Sequence, residues 1–272
     1  MYVMSTSVTL YRKLLKIAVE TTFPPNRRGR PLKATFDETF ECIAEVVRTG
    51  VSWRSLKCNH VASITVFKTM HKWANANLFE IAYQRLLKLY ARRRRPRHYA
   101  IDSTFVKNIY GRDVVGRNPI DRGRKATKFA VAVDDLGVPH AFLYTGANVS
   151  DMVLFERTLD TSLVQLHPKT PMYADKGYDS RRNKETCTTK FGLEDRLFRR
   201  RTTNTRRTHA KRGVVERFFA WQDKQRRLLV RYEQQVHVYA SMVYIFAGDL
   251  LSKICIRVFG PQSLTFDPAD MP

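Results

Sequence analysis

The sequence is short of acidic residues: 25 Asp and Glu stand against 48 Lys and Arg among its 272 residues. It also lacks any CxxC pair, since Cys42, Cys58, Cys187 and Cys255 lie far apart. That spacing suggests neither a zinc ribbon nor a disulfide framework and reads as reduced core thiols. The histidines His60, His71, His98, His140, His167, His209 and His237 show no ligand spacing either. No apolar run follows a basic amino terminus, so no signal peptide is expected. The most apolar stretch, Val236 to Ala247, stops at Gly248-Asp249. It is about a dozen residues long, short of the roughly 20 that span a bilayer, and reads as a buried helix. The expectation is an intracellular protein with no membrane partner.

What is present is a folded polycation. Hydrophobic residues make up 43% and aromatics 11%, too much for a disordered basic chain. The net charge of +23 repels itself in a compact fold, and a polyanion whose counterions leave on binding relieves it. Nucleic acid is the first candidate, although basic membrane-surface and ribosomal proteins share the composition.

Along the chain, residues 1–35 read as a basic tail with a short helix whose face is Leu10, Leu14, Ile17 and Ala18, ended by Pro24-Pro25. Arg28-Gly29-Arg30-Pro31 resembles an AT-hook, in which Arg28 and Arg30 would follow a narrow minor groove; a solvated basic linker has the same composition. Residues 36–91 read as three helices. Apolar positions 36, 40, 43, 44 and 47 make the first stripe, and Thr49-Gly50 stops it. Ser63 caps the second, with Ile64, Phe67, Met70 and Ala74 inward and Lys68 and Lys72 outward. Leu78 to Tyr90 is the third. A helix-turn-helix-like domain with Lys68 and Lys72 on DNA fits this pattern, as does any small helical domain.

Residues 92–97, with Arg92 to Arg95 before Pro96, form a basic linker. Beyond it the period becomes extended, and residues 98–257 read as one domain before a tail at 258–272. His98 to Val106 is a strand with Asp102 near its middle. Thr127 to Val133 and Val138 to Tyr144 form a hairpin about Asp135-Leu136-Gly137. Asp151 reads as the cap of a helix running to about Leu166; Met172 to Ala174 is a strand ending at Asp175, and Asp179 or Ser180 caps the next helix. Lys211 to Glu233 reads as one basic helix, and the Val236 helix closes the domain.

Three strands, helix, strand, helix, strand and closing helices is the order of the ribonuclease H-like fold. The expected class is therefore α/β, a mixed sheet flanked by helices behind an all-α amino-terminal domain. In that order Asp102 and Asp175 meet on neighbouring strands. Glu216 shares a helix side with Gly213, Phe219 and Ala220, so it is either paired with Arg212 one turn earlier or held by metal. Three carboxylates this close cannot all ionise without cations, which implies Mg²⁺. Asp134 and Asp135 compete for that role, but Asp135-Leu136-Gly137 is good turn chemistry.

The chain resembles the DDE transposases of the insertion-sequence-5 type, within the wider group with an insertion-sequence-4-like transposase domain. The matching stretches, from about residue 28 to 250, are Arg30-Pro31, VRTGVSW at Val47 to Trp53, Thr65 to Trp73, IDSTFV at Ile101 to Val106, Thr127-Lys128, DLGVP at Asp135 to Pro139, DKGYDS at Asp175 to Ser180, Arg212 to Trp221, Arg227-Leu228 and Arg231 to Glu233. The resemblance implies that Asp102, Asp175 and Glu216 are catalytic and bind Mg²⁺, for which Mn²⁺ substitutes. It also implies cleavage at element ends, joining of a 3′ hydroxyl to target DNA, and a homodimer on DNA. Lys128, Arg212 and Lys224 join Arg28, Arg30, Lys68 and Lys72 as expected DNA contacts. The chain departs from the family pattern at His209, where tyrosine is common, and at Asp223, where lysine is common with Lys224 following. A captured transposase that only binds DNA, and a metal-dependent nuclease on the same fold, are the alternative readings.

Overall fold

The structure, a computed structural model, describes residues 9–24, 34–59, 61–197 and 206–260. They fall into two compact units. One takes its described residues from Met1–Tyr90, Gln222–Leu229 and Gln235–Pro272, the other from Ala91–Trp221 and Val230–Gln234.

The first unit is helical. Helix α1 spans Leu10–Thr22, α2 Phe36–Thr49, α3 Ser63–Asn75 and α4 Leu78–Arg93. The start of α2 is locked by a capping box: the Thr35 hydroxyl accepts from Glu38 N–H while the Glu38 carboxylate accepts from Thr35 N–H. Its end is Gly50 at φ 72°, a left-handed cap that a side chain would strain. The last helix, α8 (Val236–Phe259), is buried along most of its length and packs with α1, α2 and α3. Gly248 makes that packing tight, because a Cβ there would lie 2.3 Å from the Tyr11 ring of α1. The Tyr11 N–H in turn donates to Ser252 Oγ at 3.0 Å, and its hydroxyl donates to the Phe79 carbonyl at 3.1 Å. The expectation that α8 closes the sheet domain is thus replaced by a helical unit completed from the far end of the chain.

Three further expectations change here. On α3 the inward residues are Val66, Met70, Trp73 and Ala74, whereas Ile64 is 56% exposed. Ser63 is not a cap but the first helical residue, after Ala62. Cys42 of α2 and Cys58 of the following link form a disulfide, their Cα atoms 6.4 Å apart, within bridging range. The turn at Gly50 brings the link back along α2, a closeness that sequence spacing conceals. Cys187 and Cys255 are buried and lie outside that bridge.

The second unit is a seven-stranded mixed sheet, β1 (Tyr99–Asn108), β2 (Gly116–Arg117), β3 (Lys125–Asp134), β4 (Pro139–Gly146), β5 (Pro171–Ala174), β6 (Glu194–Asp195) and β7 (Val230–Arg231). β1 pairs antiparallel with β3 and parallel with β5, and β3 pairs antiparallel with β4, giving the central order β4-β3-β1-β5-β6. The helices α5 (Asp151–Asp160) and α6 (Arg181–Thr189) cover one face. Their core joins Tyr99, Ile101, Ala130, Ala132 and Ala141 of the sheet to Leu154, Phe155 and Cys187. The two-residue period puts the next residues of each strand on the opposite face. There Phe129, Phe142 and Tyr144 stack, and Phe219 of α7 (Arg206–Gln222) meets Phe129 at 6.0 Å. The fold is ribonuclease H-like.

Helix α7 ends at Gln222, so the helix expected through Glu233 breaks eleven residues early. Farther on, Arg231 is fully buried in β7 with its guanidinium donating to the Asp113 carbonyl at 2.8 Å, Thr127 Oγ1 at 2.9 Å and the Gln234 carbonyl at 2.9 Å. That arrangement holds Val230-Arg231 extended beside the end of β1. At its other end α7 begins at Arg206, inside what reads as a polar connector. Helix α5 stops at Asp160, short of the expected Leu166. Among the described residues no helix is long and apolar enough to cross a membrane.

Candidate active site

Strand register creates the site. Ile101 of β1 lies beside Ala174 of β5 in parallel pairing. The next residues, Asp102 and Asp175, therefore stand side by side, pointing away from the α5 and α6 face because their predecessors point into it. That is the face covered by α7, which brings Arg212 and, one turn later, Glu216. His98 at the edge of β1 fixes the approach, with Nε2 donating to the Lys211 carbonyl at 3.1 Å. Burial lowers the pKa of this imidazole, which suits a neutral ring.

One guanidinium meets all three carboxylates. Arg212 Nη1 lies 3.2 Å from Asp102 Oδ2 and 4.0 Å from Asp175 Oδ2, and Nη2 lies 2.5 Å from Glu216 Oε1. The Arg212 side chain is 18% exposed against 55% for Glu216, so the arginine sits inside and the glutamate at the rim. Among the described residues, buried Arg212 Nε has no hydrogen-bond partner. Among the described residues no three metal-ligating side chains stand close enough to hold an ion as placed. The guanidinium lies between the carboxylates.

Asp102 is the most deeply set of the three, its side chain 22% exposed. Burial pushes its carboxyl up to about 6, against the lowering effects of the Ser103 N–H and Arg212; Asp175 and Asp151 add to the rise. The Ser103 N–H donates to Asp102 Oδ1 at 2.8 Å. On the opposite face the Ser103 hydroxyl donates to Asp151 Oδ1 at 2.8 Å, and Lys128 Nζ lies 2.7 Å from the same oxygen. Asp151 is therefore not the cap of α5: Ser150 holds that position, and the aspartate braces β1 from beneath. Sequence reasoning missed Ser103 in this role. Its only signal is adjacency to Asp102, and what it touches depends on where α5 begins.

The other expected residues are placed variously. Lys128 is buried, 5% exposed, and also donates to the Val149 carbonyl at 3.1 Å, so the expectation that it contacts DNA does not fit. Its charge is used on Asp151. Lys68 and Lys72 are exposed on α3, the Lys72 ammonium 3.8 Å from the Phe23 ring centre. Lys224 is exposed just after α7. Arg28 and Arg30 lie outside the described residues. Asp134 and Asp135 pair with Arg94, and Asp134 accepts from Leu136 and Val138 N–H, which makes them turn residues. Ser180, not Asp179, caps α6. Trp73 packs among Phe36 and Phe79, while Trp221 lies against Gly137 with Arg217 over its ring.

A ribonuclease H-like sheet with one carboxylate within its central strand and another just past the end of the parallel strand beside it defines the class. Within that class, the sequence model of the family described as Transposase DDE domain matches residues 93–247, more than half of the chain, and the protein belongs to that family. Among curated proteins it is similar to a putative transposase for insertion sequence element IS402 from Burkholderia cepacia. The two are 34% identical over 154 residues, covering 54% of this chain and 71% of the relative.

Proposed function

We propose that this transposase cuts DNA at the ends of a mobile element and joins the freed 3′ hydroxyl to a target, with Asp102, Asp175 and Glu216 holding divalent metal. The observation that carries the reading is the convergence of these three carboxylates, from two strands and a helix, on one face of the sheet. An oxygen-only set of three carboxylates suits a hard cation such as Mg²⁺, with Mn²⁺ able to replace it. When bound, such ions activate the attacking oxygen and stabilise the leaving one.

The protein's own residues supply position and charge. Asp102 is fixed by the Ser103 N–H and by the Asp151 brace behind it, so its other oxygen, Oδ2, faces Arg212 of α7. Glu216, at the rim, is the carboxylate most open to an arriving DNA strand. The basic surface draws the polyanion, and Lys68 and Lys72 on α3, with Arg28, Arg30 and Lys224, are the proposed phosphate contacts. On this reading the helical unit binds DNA, the sheet unit does the chemistry, and the protein works in a DNA-containing compartment. Two ends must be held together for transposition, so the working form is a homodimer on DNA.

The test incubates the protein and Mg²⁺ with the DNA flanking its own gene. Asp102→Ala should lower end-specific nicking by at least about a thousandfold, in the range removal of a metal-held reaction centre implies. Its affinity for the same DNA should stay within about twofold. Undiminished nicking by Asp102→Ala would falsify the assignment of this site.

A further inference from the structure

The Arg212 guanidinium is a single positive charge among three negative ones. Its reach is unusual for a surface ion pair. One planar group spans Asp102, Asp175 and Glu216, which come from β1, the end of β5 and α7. An arginine used as a structural fork satisfies its donors in matched pairs with one carboxylate. Here Nη1 is shared between two aspartates at 3.2 and 4.0 Å, and among the described residues the buried Nε has no partner. Charge, rather than a completed hydrogen-bond set, holds the group where it is. One cation also leaves the carboxylates undercompensated, and anions crowded together in that state favour a stronger counter-charge.

We infer that the Arg212 guanidinium stands in for the metal in the metal-free protein, so that metal binding and the Arg212 bridge exclude each other. The inference rests on the reading of Asp102, Asp175 and Glu216 as metal ligands. The oxygens that meet Arg212 Nη1 and Nη2 are the ones a shared ion would need, and two cations at that spacing repel. Arg212 is then a positioning residue. It keeps the carboxylates from flying apart while no metal is present, and it weakens metal binding by the same contacts. A purely structural arginine does the opposite: removing it disorders the carboxylates and loosens their hold on metal.

The sign of one measurement separates the two roles. Mn²⁺ alone, without DNA, is titrated into full-length wild type, Arg212→Ala, Asp102→Asn and the double variant, with bound ion read by electron paramagnetic resonance and folding by circular dichroism. Arg212→Ala is expected to bind Mn²⁺ about tenfold or more tightly than wild type, the scale of one charge-assisted contact, and the double variant to lose that gain. Thermal unfolding gives a second reading: the midpoint should rise more on Mn²⁺ addition in Arg212→Ala than in wild type. Should Arg212→Ala fail to fold without metal, Arg212→Gln, which keeps the length, is read in its place. Asp102-dependent binding that the Arg212 variant leaves unchanged or weakens overturns the inference alone. Binding indifferent to Asp102→Asn in both backgrounds overturns the metal reading of the site, and the inference with it.

Discussion

Gly248 shows how single positions set the tolerance of the helical unit. Any side chain there meets the Tyr11 ring at 2.3 Å, and Tyr11 is fully buried and tied at both ends by hydrogen bonds to Ser252 and Phe79. Neither partner has space to move, so Gly248→Ala is expected to destabilise the protein by about 1–3 kcal/mol through overpacking, although alanine is the better helix former. Thermal or urea unfolding measures it, and a stabilised variant would contradict the packing described. The proposed catalytic residues were legible at this scale because a carboxylate on an apolar helix side, or inside a strand, is chemically anomalous in the sequence itself. Lys128 was not, since a buried lysine paired with Asp151 and an exposed one on phosphate look alike until α5 is in place. Cys42 and Cys58 were hidden for the same reason.

At the scale of elements, patterns written in adjacent residues were easy to read and boundaries set by distant contacts were not. Both ends of α2 are local: the capping box of Thr35 and Glu38 opens it and Gly50 closes it. Thr35→Ala therefore should cost about 1 kcal/mol, seen as a lower unfolding midpoint, with Thr35→Ser restoring most of it. A drop well above that would mean Thr35 does more than cap. The extended pair that replaces helix at Val230-Arg231, by contrast, is held by Arg231, whose partners Asp113 and Thr127 are over a hundred residues away. Nothing in the helical period of the sequence around Gln222 announces it. The inner face of α3 was displaced in the sequence reading because Ile64 is apolar yet exposed, an exception that periodicity cannot flag.

For the molecule as a whole, the charge of +23 is the property most directly tied to use. If phosphates take up that charge, DNA affinity should fall steeply with salt, by about a thousandfold or more between roughly 50 and 200 mM for a surface that neutralises about six phosphates or more. Fluorescence anisotropy on a labelled duplex gives the slope, and a nearly flat dependence would remove nucleic acid as the reason for the charge. The order of strands and helices gave away the ribonuclease H-like sheet, because each crossover is local in sequence. The helical unit was harder to read, since its largest apolar element, α8, lies on the far side of the whole sheet unit in the sequence.

That interrupted layout bears on how the protein is made. A ribosome releases α1 to α3 first, with the apolar surfaces that α8 will cover still bare, and then spends the synthesis of Ala91–Trp221 on the other unit. A message that stops soon after Glu216 would encode every carboxylate of the candidate active site and none of the helix that completes the first unit. The order of translation thus makes α8, and not Glu216, the point at which a copy of the gene yields both units.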